Sequence, residues 1–375
     1  MPRLRTAVLV AGAALLARRA ARRRIRRAPL WPMPALATPV SGQGRPRTPV
    51  RRAVVTARTE PAEGVVRLRL EAPGLPAWEP GAHIDLVLPS GLVRPYSLCG
   101  DPAEADVYTV AVRRVEDGRG GSREVHEQLT EGTELEIRGP RNRFPLAPAP
   151  GYLFVAGGIG ITPVLPMVRA VAAAGLPWRL LYCGRSRASM PFLGELTELA
   201  RSAGRPQAGG PTRPAGSEGP GGRLLVVPED EDGLPDLAAF LAGTAPGTAV
   251  HTCGPAPLMA AVGDLLPAGC TLRLERFAAG AATAAADPGT AFEVELRRTG
   301  AVVPVAAGQS VLAAVRERLP DVLYSCEQGF CGTCRQRVLD GEVDHRDELL
   351  GEEERKDAML LCVSRCHGKR LVLDL

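Results

Sequence analysis

Residues 325–334 read SCEQGFCGTC, and a further cysteine follows at Cys362 in LLCVSRCHG. Cys326, Cys331 and Cys334 make C-x4-C-x2-C, and 27 residues separate Cys334 from Cys362. This is the spacing of plant-type [2Fe-2S] ligands and differs from the paired C-x2-C arms of a zinc knuckle. Two bridged irons need four thiolates, so the stretch must fold as a loop wrapped around a cluster, with the last thiol brought in from further along the chain. Gly329 and Gly332 make such a loop permissive and leave amides to point at sulfur. Cys366 also lies at a workable distance. Cys362 is the better fourth ligand, because it ends the apolar run AMLLC, where a strand or buried loop carries a thiol inward.

At 375 residues the chain exceeds one ordinary core, so two or three domains are expected. Cys99, Cys183, Cys253, Cys270 and Cys366 are scattered without a disulfide pattern, which points to a reducing, cytoplasmic setting. The net charge of +5 misleads. Fourteen Arg and no acid fall within the first 59 residues, so 5 − 14 leaves −9 on the other 316. The basic excess is one terminal tract with no aromatic interleaving beyond Trp31, which argues against nucleic acid as a partner. Within it, an apolar run of eleven residues, 7–17, is followed by seven Arg up to residue 27. The run is too short to span a bilayer, and its flanks are wrong for a signal peptide. Residues 1–48 therefore read either as a segment without structure or as a basic helix lying peripherally on an anionic inner membrane face.

Residues 49–146 hold short alternating strands (VVRLRLEAP, HIDLVLP, DVYTVAVRRV, TELEIRGP) punctuated by Gly and Pro, the pattern of an antiparallel barrel. From Tyr152 the pattern changes. YLFVAGGIGITPVLPMVRAV reads as a buried strand, a glycine turn and a helix; WRLLYCGR, LLVVPED and TAVHTCGP each read as a strand running into a loop. That alternation predicts a parallel sheet with crossover helices over 147–277. Eleven Gly or Pro within 203–222 predict an exposed insertion without structure. An Ala-rich linker, 278–289, leads to a last unit, 290–375, with strands, the helix SVLAAVRERL and the cysteine loop.

Two glycine turns suit anions. In AGGIGITP, Gly157, Gly158 and Gly160 let a pyrophosphate approach the backbone where strand meets helix, and Thr162 offers a hydroxyl. In GRGGSREVHEQL, Gly120, Gly121 and Ser122 open a helix whose amides and dipole can meet an anion. Together with RPYSL (Arg94 to Leu98) and HTCGPAPLM, and with the order of barrel, dinucleotide sheet and cysteine unit, residues 50–375 resemble the phthalate dioxygenase reductase family. Vanillate demethylase reductases are similar, and both fall in the ferredoxin-NADP reductase superfamily. The resemblance implies a flavin-binding β-barrel, a nucleotide-binding α/β domain and a β-grasp plant-type ferredoxin domain. It implies that Arg94 neutralises the flavin phosphate, Tyr96 packs on the isoalloxazine, Ser97 bonds the ring near N5 and Leu98 completes the segment, with Gly120, Gly121 and Ser122 at the phosphate. It sets Cys253 beside the nicotinamide C4, followed by Gly254 and Pro255. Ser97 and Cys253 are thus the candidate catalytic residues. FMN is expected rather than FAD, because the family uses FMN and no aromatic platform for an adenine is visible.

Discrimination between NADH and NADPH should fall after LLYCG. There Arg185, Ser186 and Arg187 offer charge and a hydroxyl suited to a 2′-phosphate, whereas the family resemblance favours NADH, which is the expectation adopted. Nicotinamide gives electrons in pairs as hydride and an iron-sulfur cluster takes them singly, so a flavin must stand between them. The implied function is an NADH-dependent electron-transfer reductase feeding a separate oxygenase, a Rieske non-haem iron enzyme. A free-standing flavin or ferric reductase and an NADPH-dependent reductase of a haem monooxygenase are the alternatives. A free-standing reductase would have no need of the ferredoxin unit, since a diffusible acceptor can draw electrons from flavin. Residues 340–357 carry nine acids and three bases, and read as a docking patch for a basic partner or as an ordinary solvated face.

Overall fold

The computed structural model describes residues 50–203, 222–277, 289–347 and 349–375. The N-terminal tract, nearly all of the expected insertion and nearly all of the linker lie outside the described residues. Among those described, no helix is long and apolar enough to cross a membrane.

Six antiparallel strands come first: β1 (Val50–Ala62), β2 (Val65–Glu71), β3 (Ala82–Val87), β4 (Val93–Ser97), β5 (Val107–Arg113) and β6 (Glu134–Asn142), with helix α1 (Gly121–Gln128) before the last. Their order is β4-β3-β6-β1-β2-β5, and a bridge between Leu98 and Val110 joins the two ends, closing the sheet into a barrel. Period-two alternation turns Leu68 and Leu70 of β2, Ile84 and Leu86 of β3, and Leu135 and Ile137 of β6 into the core, where Val125 and Leu129 of the α1 region join them. β3 departs from the half-polar rule. Its other face carries His83 and Asp85, which are only 5% and 0% exposed, because the C-terminal unit covers them.

The second sheet is wholly parallel: β7 (Tyr152–Gly157), β8 (Trp178–Gly184), β9 (Arg223–Pro228), β10 (Ala249–Cys253) and β11 (Thr271–Glu275), in the order β11-β10-β7-β8-β9. Helix α2 (Ile161–Ala173) follows β7, α3 (Leu193–Ala203) follows β8, the short α4 (Glu229–Asp232) and α5 (Leu237–Leu241) follow β9, and α6 (Ala256–Asp264) follows β10. Every residue of β7 is buried, as a strand covered on both faces must be. The chain order reverses between β7 and β10, so the loops leaving these two strands diverge and open a crevice at their carboxyl ends.

The last unit has β12 (Phe292–Leu296), β13 (Ala301–Val305), helix α7 (Val311–Arg318), β14 (Arg335–Asp340), β15 (Val343–Asp344), the turn of helix α8 (Glu352–Arg355), β16 (Ala358–Leu360), β17 (Arg365–Cys366) and β18 (Arg370–Leu373). Its main sheet runs β13-β12-β18-β14-β16, with β12 parallel to β18, and α7 packs Val311, Leu312, Ala314 and Val315 on it. This is a β-grasp. The Ser310 hydroxyl caps α7 by accepting from the Ala313 amide at 3.1 Å. The cysteine loop leaves the C-terminal end of this helix and returns as β14.

Candidate functional site

The three sheets meet at a cleft of about 690 Å³. β4 supplies Arg94, Tyr96 and Ser97; α1 begins on it with Gly121 and Ser122; the turn after β7 adds Gly157, Gly160 and Thr162; Gly254 and Pro255 follow from β10; and the cysteine loop closes it with Gln328, Phe330 and Cys331.

The barrel side is shaped for an anion beside a flat apolar group. Helix α1 starts without a side-chain cap, so its first amides are free to meet a ligand. A Cβ at Gly121 would lie 2.7 Å from Arg94 Cγ, so only glycine lets the guanidinium and the helix start converge on one point. Arg94 also donates to the Val93 carbonyl at 2.8 Å and the Arg119 carbonyl at 3.2 Å, which fixes its direction. The Ser122 hydroxyl is engaged locally, accepting from the Val115 amide at 3.1 Å. Burial holds the Tyr96 phenol well above its ordinary pKa, so it presents a neutral aromatic face.

Across the cleft, the Ser97 hydroxyl donates to Glu275 Oε2 at 3.1 Å. Glu275 ends β11 beside Cys253 of β10, and burial pushes its carboxyl up to about 8, with the Ser97 bond acting weakly the other way. The residue is partly buried and faces the cleft, and its surroundings favour the protonated carboxyl. The nucleotide turn is interlocked backbone to backbone. A Cβ at Gly160 would strike the Cys253 carbonyl oxygen, and one at Gly157 would lie 2.6 Å from Pro255 Cδ. Helix α2 also begins uncapped, while the Thr162 hydroxyl donates back to the Ile159 carbonyl at 3.0 Å.

Several expected residues do not reach the cleft wall. Leu98 is fully buried in the barrel core, and its amide donates to the Ala82 carbonyl at 2.8 Å. Gly120 and Gly158 shape turns with φ of 81° and 55° rather than facing the space. Cys253 is fully buried, and burial raises its thiol well above the ordinary value, so it enters as a neutral core thiol behind Gly254 and Pro255. Arg185, Ser186 and Arg187 also lie off the wall. The Ser186 hydroxyl accepts from the Ser189 amide at 3.3 Å, and Arg187 Nε donates to Glu231 Oε2 at 2.9 Å. The Arg187 charge and the Ser186 hydroxyl are thus already engaged. In segment 340–357, of which Glu348 lies outside the described residues, acids are matched by bases in the Glu353–Lys356, Glu354–Arg335 and Asp344–Arg346 pairs.

The cysteine loop is wound through three left-handed residues, Glu327, Gly329 and Gly332, with φ of 55°, 81° and 70°. That turns amides toward sulfur: the Gln328 amide donates to Cys326 Sγ at 3.4 Å, and the Phe330 amide does likewise. Cys326, Cys331, Cys334 and Cys362 are all buried free thiols gathered close enough to influence one another, Cys331 beside Cys326, Cys326 beside Cys362, and Cys362 beside Cys334. Donation from Cys331 and Cys362 pulls the Cys326 thiol far down. Cys366 stands apart in β17, accepting from the Gly368 amide at 3.2 Å. Among the described residues, no three His, Cys, Asp or Glu side chains are arranged around a single ion.

Five residues of this region were not singled out by the sequence reading: His83, Asp85, Arg119, Glu275 and Ser325. Ser325 Oγ donates to Asp85 Oδ1 at 2.5 Å, Arg141 pairs with the other oxygen, and Arg119 Nη2 donates to the Cys326 carbonyl at 2.5 Å. The signal for β3 was present in HIDLV, where two polar residues alternate with core positions. Glu275 and Ser325 carried none, because their roles come from segments far apart in the chain.

Comparison with known proteins matches this geometry. Residues 294–367 match the family described as 2Fe-2S iron-sulfur cluster binding domain, and residues 154–264 match the oxidoreductase NAD-binding domain. The chain is 39% identical over 326 residues to the phenoxybenzoate dioxygenase subunit beta of Ectopseudomonas oleovorans, covering 84% of this chain and 94% of that one. The solved structure of phthalate dioxygenase reductase, described as modular for electron transfer from pyridine nucleotides to [2Fe-2S], superposes with a TM-score of 0.63 at 34% identity over 87% of this chain and 98% of its own. An intact type IV self-sufficient cytochrome P450 monooxygenase gives a TM-score of 0.73 at 38% identity over 93% of this chain, which spans only 44% of that protein. The chain belongs to the phthalate dioxygenase reductase-like family of oxygenase reductases, with an NAD-binding oxidoreductase domain and a 2Fe-2S domain.

Proposed function

We propose that this reductase takes electrons from NADH and passes them through FMN and a [2Fe-2S] cluster to a partner oxygenase of the Rieske non-haem iron type. One observation carries the reading: a flavin-type anion site, a dinucleotide turn and the thiol loop open on one cleft. The residues fit the groups. Four buried free thiols gathered together match a cluster that needs four thiolates, and the Arg94–Gly121 approach forms a cradle that any Cβ would fill. Held there, FMN would supply a hydride acceptor and the cluster a one-electron carrier.

The chain's own residues then have distinct tasks. Arg94 and the amides of Gly121 and Ser122 hold the phosphate, Tyr96 covers the ring, and the Ser97 hydroxyl bonds its edge. Glu275 holds a proton next to Ser97, keeping the hydride path free of a buried negative charge. The free amides at the start of α2 meet the NADH pyrophosphate, while Gly254 and Pro255 bound the nicotinamide and Cys253 backs them from the core. Cys326, Cys331, Cys334 and Cys362 ligate the cluster. NADH is favoured because Arg187 is tied to Glu231 and Ser186 to Ser189, so two of the three groups suited to a 2′-phosphate are engaged within the protein. The similarity to the P450 monooxygenase supports a second reading, a haem oxygenase as electron acceptor.

Cys331→Ser tests the order of transfer. It is expected to abolish reduction of one-electron protein acceptors while NADH still bleaches the flavin and small dyes are still reduced. A cluster reduced by NADH in flavin-free protein would sink the scheme. Supplying a Rieske oxygenase and a haem monooxygenase in parallel separates the two partner readings.

A further inference from the structure

His83 stands where the barrel faces the cysteine loop. Its Cα pairs with that of Ser97 across β3 and β4, so both side chains leave the same face of the sheet. The residue is only 5% exposed, and it lines the cleft together with Gln328 and Cys331. Around it lie Arg141, Arg143 and Cys326. Burial, reinforced by the two arginines, pushes its pKa down to about 3, so the imidazole is neutral and carries one N–H and one lone pair. Both ring nitrogens are sealed from solvent and neither has a partner in the protein. Buried polar groups are almost always satisfied, so an imidazole with two orphan nitrogens lining a cleft points to a ligand that completes it. Asp85, two residues on and on the same face, is by contrast fully satisfied by Ser325 and Arg141.

We propose that His83 is a positioning residue for electron exit, donating its ring N–H toward the cluster beside Cys326 and thereby raising the cluster's midpoint potential. Hydrogen bonds to cluster sulfurs stabilise the reduced, more negative state, which is the physical basis of this tuning. A neutral donor does this without adding a charge that would compete with Arg141 for Asp85. The inference rests on the cofactor reading above, and that reading fails separately: wild-type protein would then lack flavin or [2Fe-2S] absorbance altogether.

The test uses the holoprotein. In His83→Leu, EPR-monitored titration is expected to give a lower cluster potential with an unchanged flavin potential, and stopped flow a several-fold slower cluster reduction with NADH bleaching of flavin unaltered. His83→Gln, which keeps an N–H donor, should recover most of both. A fully loaded His83→Leu with the wild-type cluster potential overturns the proposal. So does a shift in His83→Gln as large as in His83→Leu, since that marks mere space filling. So does a shift in the flavin potential alone. Where His83→Leu fails to load its cluster, pulsed EPR on wild type with isotopically labelled histidine decides: a coupling to the reduced cluster that His83→Gln removes supports the assignment, and its absence ends it.

Discussion

The barrel meets its two neighbours through seams of different character. Toward the cysteine loop a buried carboxylate anchors the contact: Asp85, with no exposure, takes both Ser325 and Arg141, and the more exposed Arg119 holds the Cys326 carbonyl. Toward the nucleotide sheet the contacts are part-buried and are not built on a fully buried acid. Arg169, with a side chain 26% exposed, donates to the carbonyls of Cys99 and Gly100 at 2.8 and 2.6 Å and pairs with Glu195, while the Glu63 amide reaches the Ala188 carbonyl at 2.8 Å. The difference follows from what crosses each seam. A dinucleotide must enter and leave beside the glycine turn, so that seam has to tolerate movement. Only electrons pass to the cluster, and their rate falls steeply with distance, so that seam has to stay shut.

The largest expected effect removes the exit itself. Cys362→Ser should eliminate the cluster's visible absorbance, whereas Cys366→Ser should keep it, since Cys362 neighbours Cys326 and Cys334 while Cys366 stands apart in β17. A reversed result would place the fourth ligand in β17.

Next in size is a break in the closed seam. Asp85→Asn keeps the shape but removes the counter-charge of Arg141, which is 22% exposed, so the loss should fall below the roughly 3–5 kcal/mol of a fully buried pair. Melting temperature and flavin-to-cluster transfer should both fall while NADH reduces the flavin at its wild-type rate. Equal slowing of the two steps would show that the seams are not independent.

On the nucleotide side, Glu275 supplies a pH dependence. Its carboxyl keeps its proton up to about 8 when folded against 4.5 when exposed, so the folded state binds the extra proton between those values and this group's contribution to stability declines as pH rises through that window. Flavin reduction by NADH should likewise fall as pH passes about 8, when charge appears next to Ser97. Glu275→Gln, permanently neutral, should be nearly as fast at pH 7 and should lose that limb. A limb that persists in Glu275→Gln would assign it elsewhere.

The contrast also explains what could be read from sequence. The gathering of the four thiols was legible because a metal site demands residue types at fixed spacing, and the strand alternation and glycine turns of the first two units were legible because period and backbone freedom are local properties. Residues whose task is set by distant contacts were not. Glu275 is an ordinary acid until β11 brings it under Ser97, 178 positions away. Asp85 and Ser325, 240 positions apart, meet only because the last unit docks on β3. Cys253 and Leu98 mislead in the opposite sense: each sits in a motif, but the interlocked turns and the barrel core take up its side chain.

The smallest expected effect concerns Arg187, where residue type and partner disagree. By type, Arg185, Ser186 and Arg187 resemble a 2′-phosphate site, yet Glu231 from the helix after β9 has taken Arg187. Both side chains are about half exposed, 53% and 49%, and an exposed ion pair is worth up to about 1 kcal/mol, roughly a fivefold factor. Glu231→Gln frees the guanidinium and removes a carboxylate that would repel a 2′-phosphate. It should therefore raise kcat/KM for NADPH by no more than about fivefold while leaving NADH nearly unchanged. The same substitution should not alter cluster reduction, because it acts on the entry seam alone. If NADPH use is unmoved by Glu231→Gln but drops about tenfold in Arg187→Ala, Arg187 already reaches the phosphate in spite of its partner, and residue type would then have been the better guide at this position.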